Sequence, residues 1–114
     1  MNHMQWTLVE VNLDSATGAE QKGTRPVLII SNEEFNQTMP NVTILPLTST
    51  KRRLYPSEIL LPAGKAGQSL ESIIMAHQIR IISKQRLGKL IGRLDDIQIR
   101  HLVREAIKEH LNLD

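Results

Sequence analysis

The feature that most limits how this chain can fold is a late change in its hydrophobic period. Up to residue 82 apolar residues come in short runs broken by Gly, Pro, Ser, Thr and Asn; beyond Asp95 they recur every three or four positions. Leu8, Val9, Val11 and Leu13, with Glu10 and Asn12 interposed, read as a first strand. Residues 14–22 are polar, small and glycine-containing, and predict a loop. Pro26-Val27-Leu28-Ile29-Ile30 is rich in β-branched side chains and predicts a buried strand. One helical turn is expected over 32–37 and a third strand over 42–47, ended by polar residues 48–53. Residues 57–61 and 72–82 complete the expected β content, around a loop at 62–67.

From Ser83 the character changes. Ser83 suits the N-cap of a short helix holding Arg86 and Leu87. A longer helix is expected from Asp95 or Asp96, with Ile99, Leu102, Val103, Ala106 and Ile107 on one face. Arg100, Arg104, Glu105 and Lys108 fall elsewhere, and the acids at its start and His110 near its end suit the helix dipole. Several short strands closed by one amphipathic helix predict a mainly β (α+β) fold, a small barrel with a C-terminal helix. The 114 residues suffice for one domain, 1–114, around one core.

Composition narrows the function. The absence of cysteine excludes disulfides, thiolate metal sites and cysteine nucleophiles, and fits a reducing compartment. No apolar stretch approaches the roughly 18–20 residues that cross a bilayer, and the first residues lack a secretory layout. A cytoplasmic protein without membrane contact is therefore expected. Net charge is +2 and the isoelectric point about 9.2. Arg25, Lys51, Arg52, Arg53 and Arg80 all fall at expected strand ends or loops, where they can form one positive face toward a polyanion or simply solvate the surface. His3, His77, His101 and His110 lie too far apart for a metal site, so no metal and no cofactor are expected. Neither a phosphate loop nor a Gly-x-Ser-x-Gly elbow is present. Trp6, Phe35 and Tyr55 are too few for a base-stacking platform.

The segment that carries chemistry is Gly18-Ala19-Glu20-Gln21-Lys22-Gly23-Thr24-Arg25-Pro26. Arg25 stands on a loop just before a rigid strand, and Pro26 biases it toward extended backbone. Such a guanidinium can grip a phosphate with two parallel bonds, or pair with Glu20 at the surface.

The pattern Glu20-Gln21-x-Gly23-x-Arg25-Pro26-Val27-Leu28-Ile29-Ile30-Ser31 resembles the MazF/PemK toxin endoribonucleases. Asn36 after an aromatic, Pro46-Leu47-Thr48-Ser49, Tyr55-Pro56, Gln78-Ile79-Arg80 and Arg86-Leu87 follow in the order of that family's elements, so the resemblance runs from Gln5 to Leu111. It implies the SH3-like, PemK-type barrel, a homodimer and a cognate antitoxin whose acidic or apolar tail lies across the basic groove. It further implies sequence-specific, ribosome-independent cutting of single-stranded RNA such as mRNA, without metal. Arg25 and Thr48 carry over as the catalytic pair. Glu20, Gln21, Ser49, Lys51, Arg53, His77, Gln78 and Arg80 carry over as substrate-binding positions.

There are departures. The family's opening Arg-Gly-Asp/Glu is Gln5-Trp6-Thr7 here, Ser15 replaces a proline, Ala19 stands where some members have His, and His77 stands where Asp is common. In the implied reaction the ribose 2′-hydroxyl attacks its own phosphate, leaving a cyclic phosphate and a 5′-hydroxyl, which requires RNA. Arg25 would stabilise the developing charge and Thr48 would donate a hydroxyl; Glu20 or His77 would move the protons. A gyrase-poisoning toxin of the same fold and a catalytically weakened RNA- or antitoxin-binding barrel remain as alternatives.

Overall fold

The structure, a computed structural model, describes residues 3–13 and 23–114. The expected loop at 14–22, with Glu20 and Gln21, lies outside the described residues. Strands β1 (Thr7–Asn12), β2 (Thr24–Ile29), β3 (Asn41–Thr48), β4 (Glu58–Leu61), β5 (Ser72–Met75), β6 (Arg80–Ser83) and β7 (Leu87–Arg93) form one antiparallel seven-stranded sheet. Its order is β4-β5-β3-β2-β1-β7, with β6 also paired to β3. The helices are a short α1 (Glu33–Thr38) and α2 (Ile97–Leu111). The mainly β, α+β arrangement expected from the hydrophobic periods is the one observed.

β1, β2 and β3 are buried on both faces, which is why the run at β2 does not alternate. Leu8, Leu28, Leu45 and Leu47 pack on one face with Ile74, Leu94 and the helix residues Ile99, Val103 and Ala106. Val9, Val11, Val27, Ile29, Val42, Ile44 and Ile82 fill the other. Each fully enclosed Leu or Ile contributes roughly 1.5–3 kcal/mol of transfer free energy.

α2 begins where the carboxylates predict. The Asp96 side chain accepts from Ile99 N at 3.0 Å, and Asn112 ends the helix in the left-handed region at φ 57°. Leu102, expected on the buried face, is 50% exposed. Trp6 has φ 70°, a conformation that favours glycine, at the place where the resembled family carries Gly. Two backbone bonds, Trp6 N to Ile29 O at 2.7 Å and Leu94 N to Trp6 O at 2.8 Å, hold it there. The guanidinium carbons of Arg100 and Arg104 lie 5.1 and 5.0 Å from its ring centroid, fastening the helix to β1.

Two elements depart from the expectation. The stretch 72–82 is broken by a 3-10 turn, Ala76–Gln78, so that β5 and β6 pair with different halves of β3. Ser83 caps Lys84–Arg86 as expected, but Leu87 opens a strand that the sequence analysis does not anticipate. Among the described residues, no helix is long and apolar enough to cross a membrane.

Candidate active site at the fork between two strands

Two prolines open the site. The β2–β3 register runs Ile29 to Ile44, Leu28 to Leu45 and Val27 to Pro46. Pro26 and Pro46 have no N–H to continue it. Pro46 also stands where the other edge of β3 changes partner, from β6 at Ile44 to β5 at Leu47. Past the prolines the two strands fork, and Thr24, Arg25, Leu47, Thr48, Ser49 and Ser72 line the pocket between them. Continuing the register sets Arg25 across from Thr48 on one face of the sheet, as neighbours in antiparallel strands must be.

Thr48 is buried at the pocket wall, and its Oγ1 accepts from Thr50 N at 3.2 Å and donates to Thr50 Oγ1 at 3.1 Å. Arg25 is half-buried. Ser49 and Ser72 belong also to an adjoining groove with Lys51 and Glu71, so the two hollows form one continuous channel. An arginine and a threonine lining one open pocket, with a lysine in the groove beside it, form an arrangement suited to a phosphodiester chain.

The other expected site residues separate. Arg53 lies exposed on the loop after β3. Arg80 pairs with Ile44, which the strand rise puts about 13 Å along β3 from Thr48. Gln78 sits in the 3-10 turn, its amide 3.9 Å from Met75 Sδ. His77 lies just beyond the end of β5 opposite Ser72, and its Nε2 is 2.7 Å from Glu58 Oε2. Asn36 is structural: wholly buried, it donates to Ser31 O at 2.8 Å and accepts from Ser31 Oγ at 2.5 Å.

Glu58 and Arg52 are the prominent charged pair that sequence reasoning does not single out. The Glu58 side chain has 0% exposure, and Arg52 Nη1 and Nη2 donate to its two oxygens at 2.8 and 2.9 Å. Tyr55 N donates to Oε1 at 2.7 Å. Burial raises the carboxyl pKa, but the bonds from Arg52, His77 and Tyr55 N outweigh it and hold the group at about 2. Among the described residues no cluster of His, Asp and Glu is arranged to hold a metal ion.

Residues 4–111 match the family described as PemK-like, MazF-like toxins of type II toxin–antitoxin systems. The chain belongs to that family. It is 36% identical over 109 residues to the endoribonuclease MazF9 of Mycobacterium tuberculosis, covering 91% of this chain and 92% of that one. It is 35% identical over 103 residues to the endoribonuclease EndoA of Bacillus subtilis, covering 90% and 88%. The solved structure of the Mycobacterium tuberculosis toxin MazF-mt6 superposes with a TM-score of 0.78 at 29% identity, covering 95% of this chain and 98% of that one. The family match takes in Arg25, Thr48, the loop after β3 and all of α2.

Proposed function

We propose that this MazF/PemK-like toxin is a sequence-specific, ribosome-independent endoribonuclease that acts in the cytoplasm on single-stranded RNA, mRNA included. The observation that carries this reading is the convergence of Arg25 and Thr48 on one pocket at the β2–β3 fork. Two relatives, 36% and 35% identical to it over the aligned residues, bear the name endoribonuclease.

Arg25 binds the non-bridging oxygens of the scissile phosphate and stabilises the charge that builds up at five-coordinate phosphorus. Thr48 donates its hydroxyl to the same group. The 2′-oxygen bonds to phosphorus as the bond to the 5′-oxygen breaks, leaving a 2′,3′-cyclic phosphate and a 5′-hydroxyl. Ser49 and Lys51 bind the adjoining backbone, and Arg53, Gln78 and Arg80 act farther along the strand. The lining of the pocket holds no carboxylate or imidazole among the described residues, and His77 belongs to the Glu58 cluster. We assign acceptance of the 2′-hydroxyl proton to Glu20, with Gln21 beside it as a binding group, and water supplies the proton that the departing 5′-oxygen takes up. No metal takes part.

The antitoxin covers the same channel with an acidic or apolar tail. A homodimer is part of the proposal: Leu54, Leu60 and Leu102 leave an apolar groove between β4 and α2, and light scattering reads the mass. The decisive assay compares an all-RNA oligonucleotide with one carrying a single deoxyribose at the cut, with and without EDTA. Cutting of the deoxy substrate, or loss of activity in EDTA, would refute the mechanism; damage to supercoiled DNA in the presence of gyrase would revive the gyrase reading.

A further inference from the structure

The loop from β3 to β4 is pinned at both ends by contacts that phosphoryl transfer itself does not require. At its start, Thr50 is bound through N and Oγ1 to Thr48 Oγ1. At its end, Glu58 takes Arg52 by both terminal nitrogens and Tyr55 by its backbone N–H, while the Arg52 guanidinium lies 4.1 Å over the Tyr55 ring. Glu109 of α2 accepts from both Ser57 N and Ser57 Oγ at 3.1 Å, holding that residue at φ 62°. Lys51 stands between the two anchored residues, Thr50 and Arg52. It is exposed, lines the groove that adjoins the Arg25–Thr48 pocket, and makes no ion pair among the described residues.

Enclosing a carboxylate costs desolvation, and an apolar side chain would close the same space without that cost. What Glu58 supplies instead is direction: two parallel bonds to a planar guanidinium fix where the chain runs at residue 52. A lysine whose flanking backbone is already ordered loses less entropy when it meets a ligand, so its charge counts for more.

We propose that Glu58 is a positioning residue, which through Arg52 and Tyr55 sets the loop path so that Lys51 meets the RNA phosphate next to the one held by Arg25 and Thr48. The inference rests on the endoribonuclease reading. Its experiment is steady-state cleavage, on an RNA containing a site cut by wild type, of Lys51→Ala, Arg52→Ala, Arg52→Lys, Glu58→Gln and the Lys51→Ala/Glu58→Gln double variant. Glu58→Gln and Arg52→Ala are expected to raise KM about tenfold and leave kcat within about twofold, as Lys51→Ala does. The double variant is expected to be no worse than either single one, because Glu58 acts through Lys51. A fall in kcat at constant KM, or losses that multiply in the double variant, would overturn the proposal. If Glu58→Gln does not fold, Arg52→Lys decides, since it keeps the charge and loses the fork; an unchanged KM there overturns the proposal too. Wild type that leaves RNA intact sinks the endoribonuclease reading and this inference together. Wild-type cutting with an unaltered Glu58→Gln sinks this inference alone.

Discussion

At the Ser72 end of β5 the sheet opens between β2 and β3, and Arg25, Thr48 and several serines and threonines line an open channel. At the Met75 end, Glu58, Arg52 and His77 close on one another, and the carboxylate is out of reach of water. Both ends concentrate polar groups around β5, yet the chemistry differs. Charges that satisfy each other inside the fold hold a loop in place, at a desolvation cost met by their own hydrogen bonds. Polar groups gathered at an open pocket are placed for a ligand. In so small a sheet the division between shape and reaction is made by solvent access, over the length of one short strand.

The largest effect expected from breaking this division is at Arg25. Arg25→Ala should lower kcat for RNA cleavage roughly 100- to 1,000-fold, the range seen when one charge-stabilising donor is removed, while the melting temperature stays near that of wild type. Single-turnover cleavage with excess toxin reads it. Retained activity would detach the pocket from the chemistry.

Glu58→Leu should act in the opposite sense, on stability more than on turnover. It leaves Arg52 and His77 without their partner, and the expected loss is about 2–3 kcal/mol in urea unfolding, less than for a fully buried pair because both partners keep some exposure. The pH dependence has a definite sign. Glu58 titrates near 2 in the folded chain against 4.5 ordinarily, so its contribution is complete above about pH 4.5 and drains away as pH falls toward 2. Urea midpoints between pH 6 and pH 2.5 should fall more steeply for wild type than for Glu58→Gln; parallel curves would show the carboxylate to be unpaired in solution.

Thr48→Val probes the open end of the sheet. The substitution preserves β-branching and removes only the hydroxyl, so the fold should hold while kcat falls about tenfold, as for one lost hydrogen bond to a charged group. A change in KM alone would move Thr48 from the reacting phosphate to the binding track.

The two regions were unequally legible in the sequence. β1 to β4 follow from short apolar runs set between turn residues, and α2 from its apolar period of three to four. Arg25 was legible through the family pattern around it, and the expectation of a loop position is corrected: it lies inside β2, paired with Val11. β7 was not, since Gly88 and Gly92 interrupt its pattern and its place is set by pairing with β1. A Cβ on Gly92 would stand 2.2 Å from Ala66 O, so the glycine marks close approach rather than a turn. The Glu58 cluster was hidden for another reason. Its acid reads as the exposed position of a strand, and it is enclosed by Arg52 from the preceding loop and His77 from the turn after β5, which no local spacing brings together. His77, expected as a proton carrier or a substrate-binding position, lies with its Nε2 2.7 Å from Glu58 Oε2.

His77→Ala therefore gives the smallest expected effect and the sharpest test of that reassignment. A general acid or base deleted from the reacting site would lower kcat by 100-fold or more, roughly the low end of what proton transfer contributes. A partner that only completes the bonds of Glu58 should cost about 1 kcal/mol of stability, since Arg52 and Tyr55 N remain on the carboxylate. The expected outcome is a small drop in the urea midpoint with kcat within about twofold of wild type, a change within the spread of surface substitutions. The same assay on Glu20→Gln should show the large loss instead. If the two variants exchange behaviour, the imidazole reaches the reacting phosphate, and the two ends of β5 are one site rather than two.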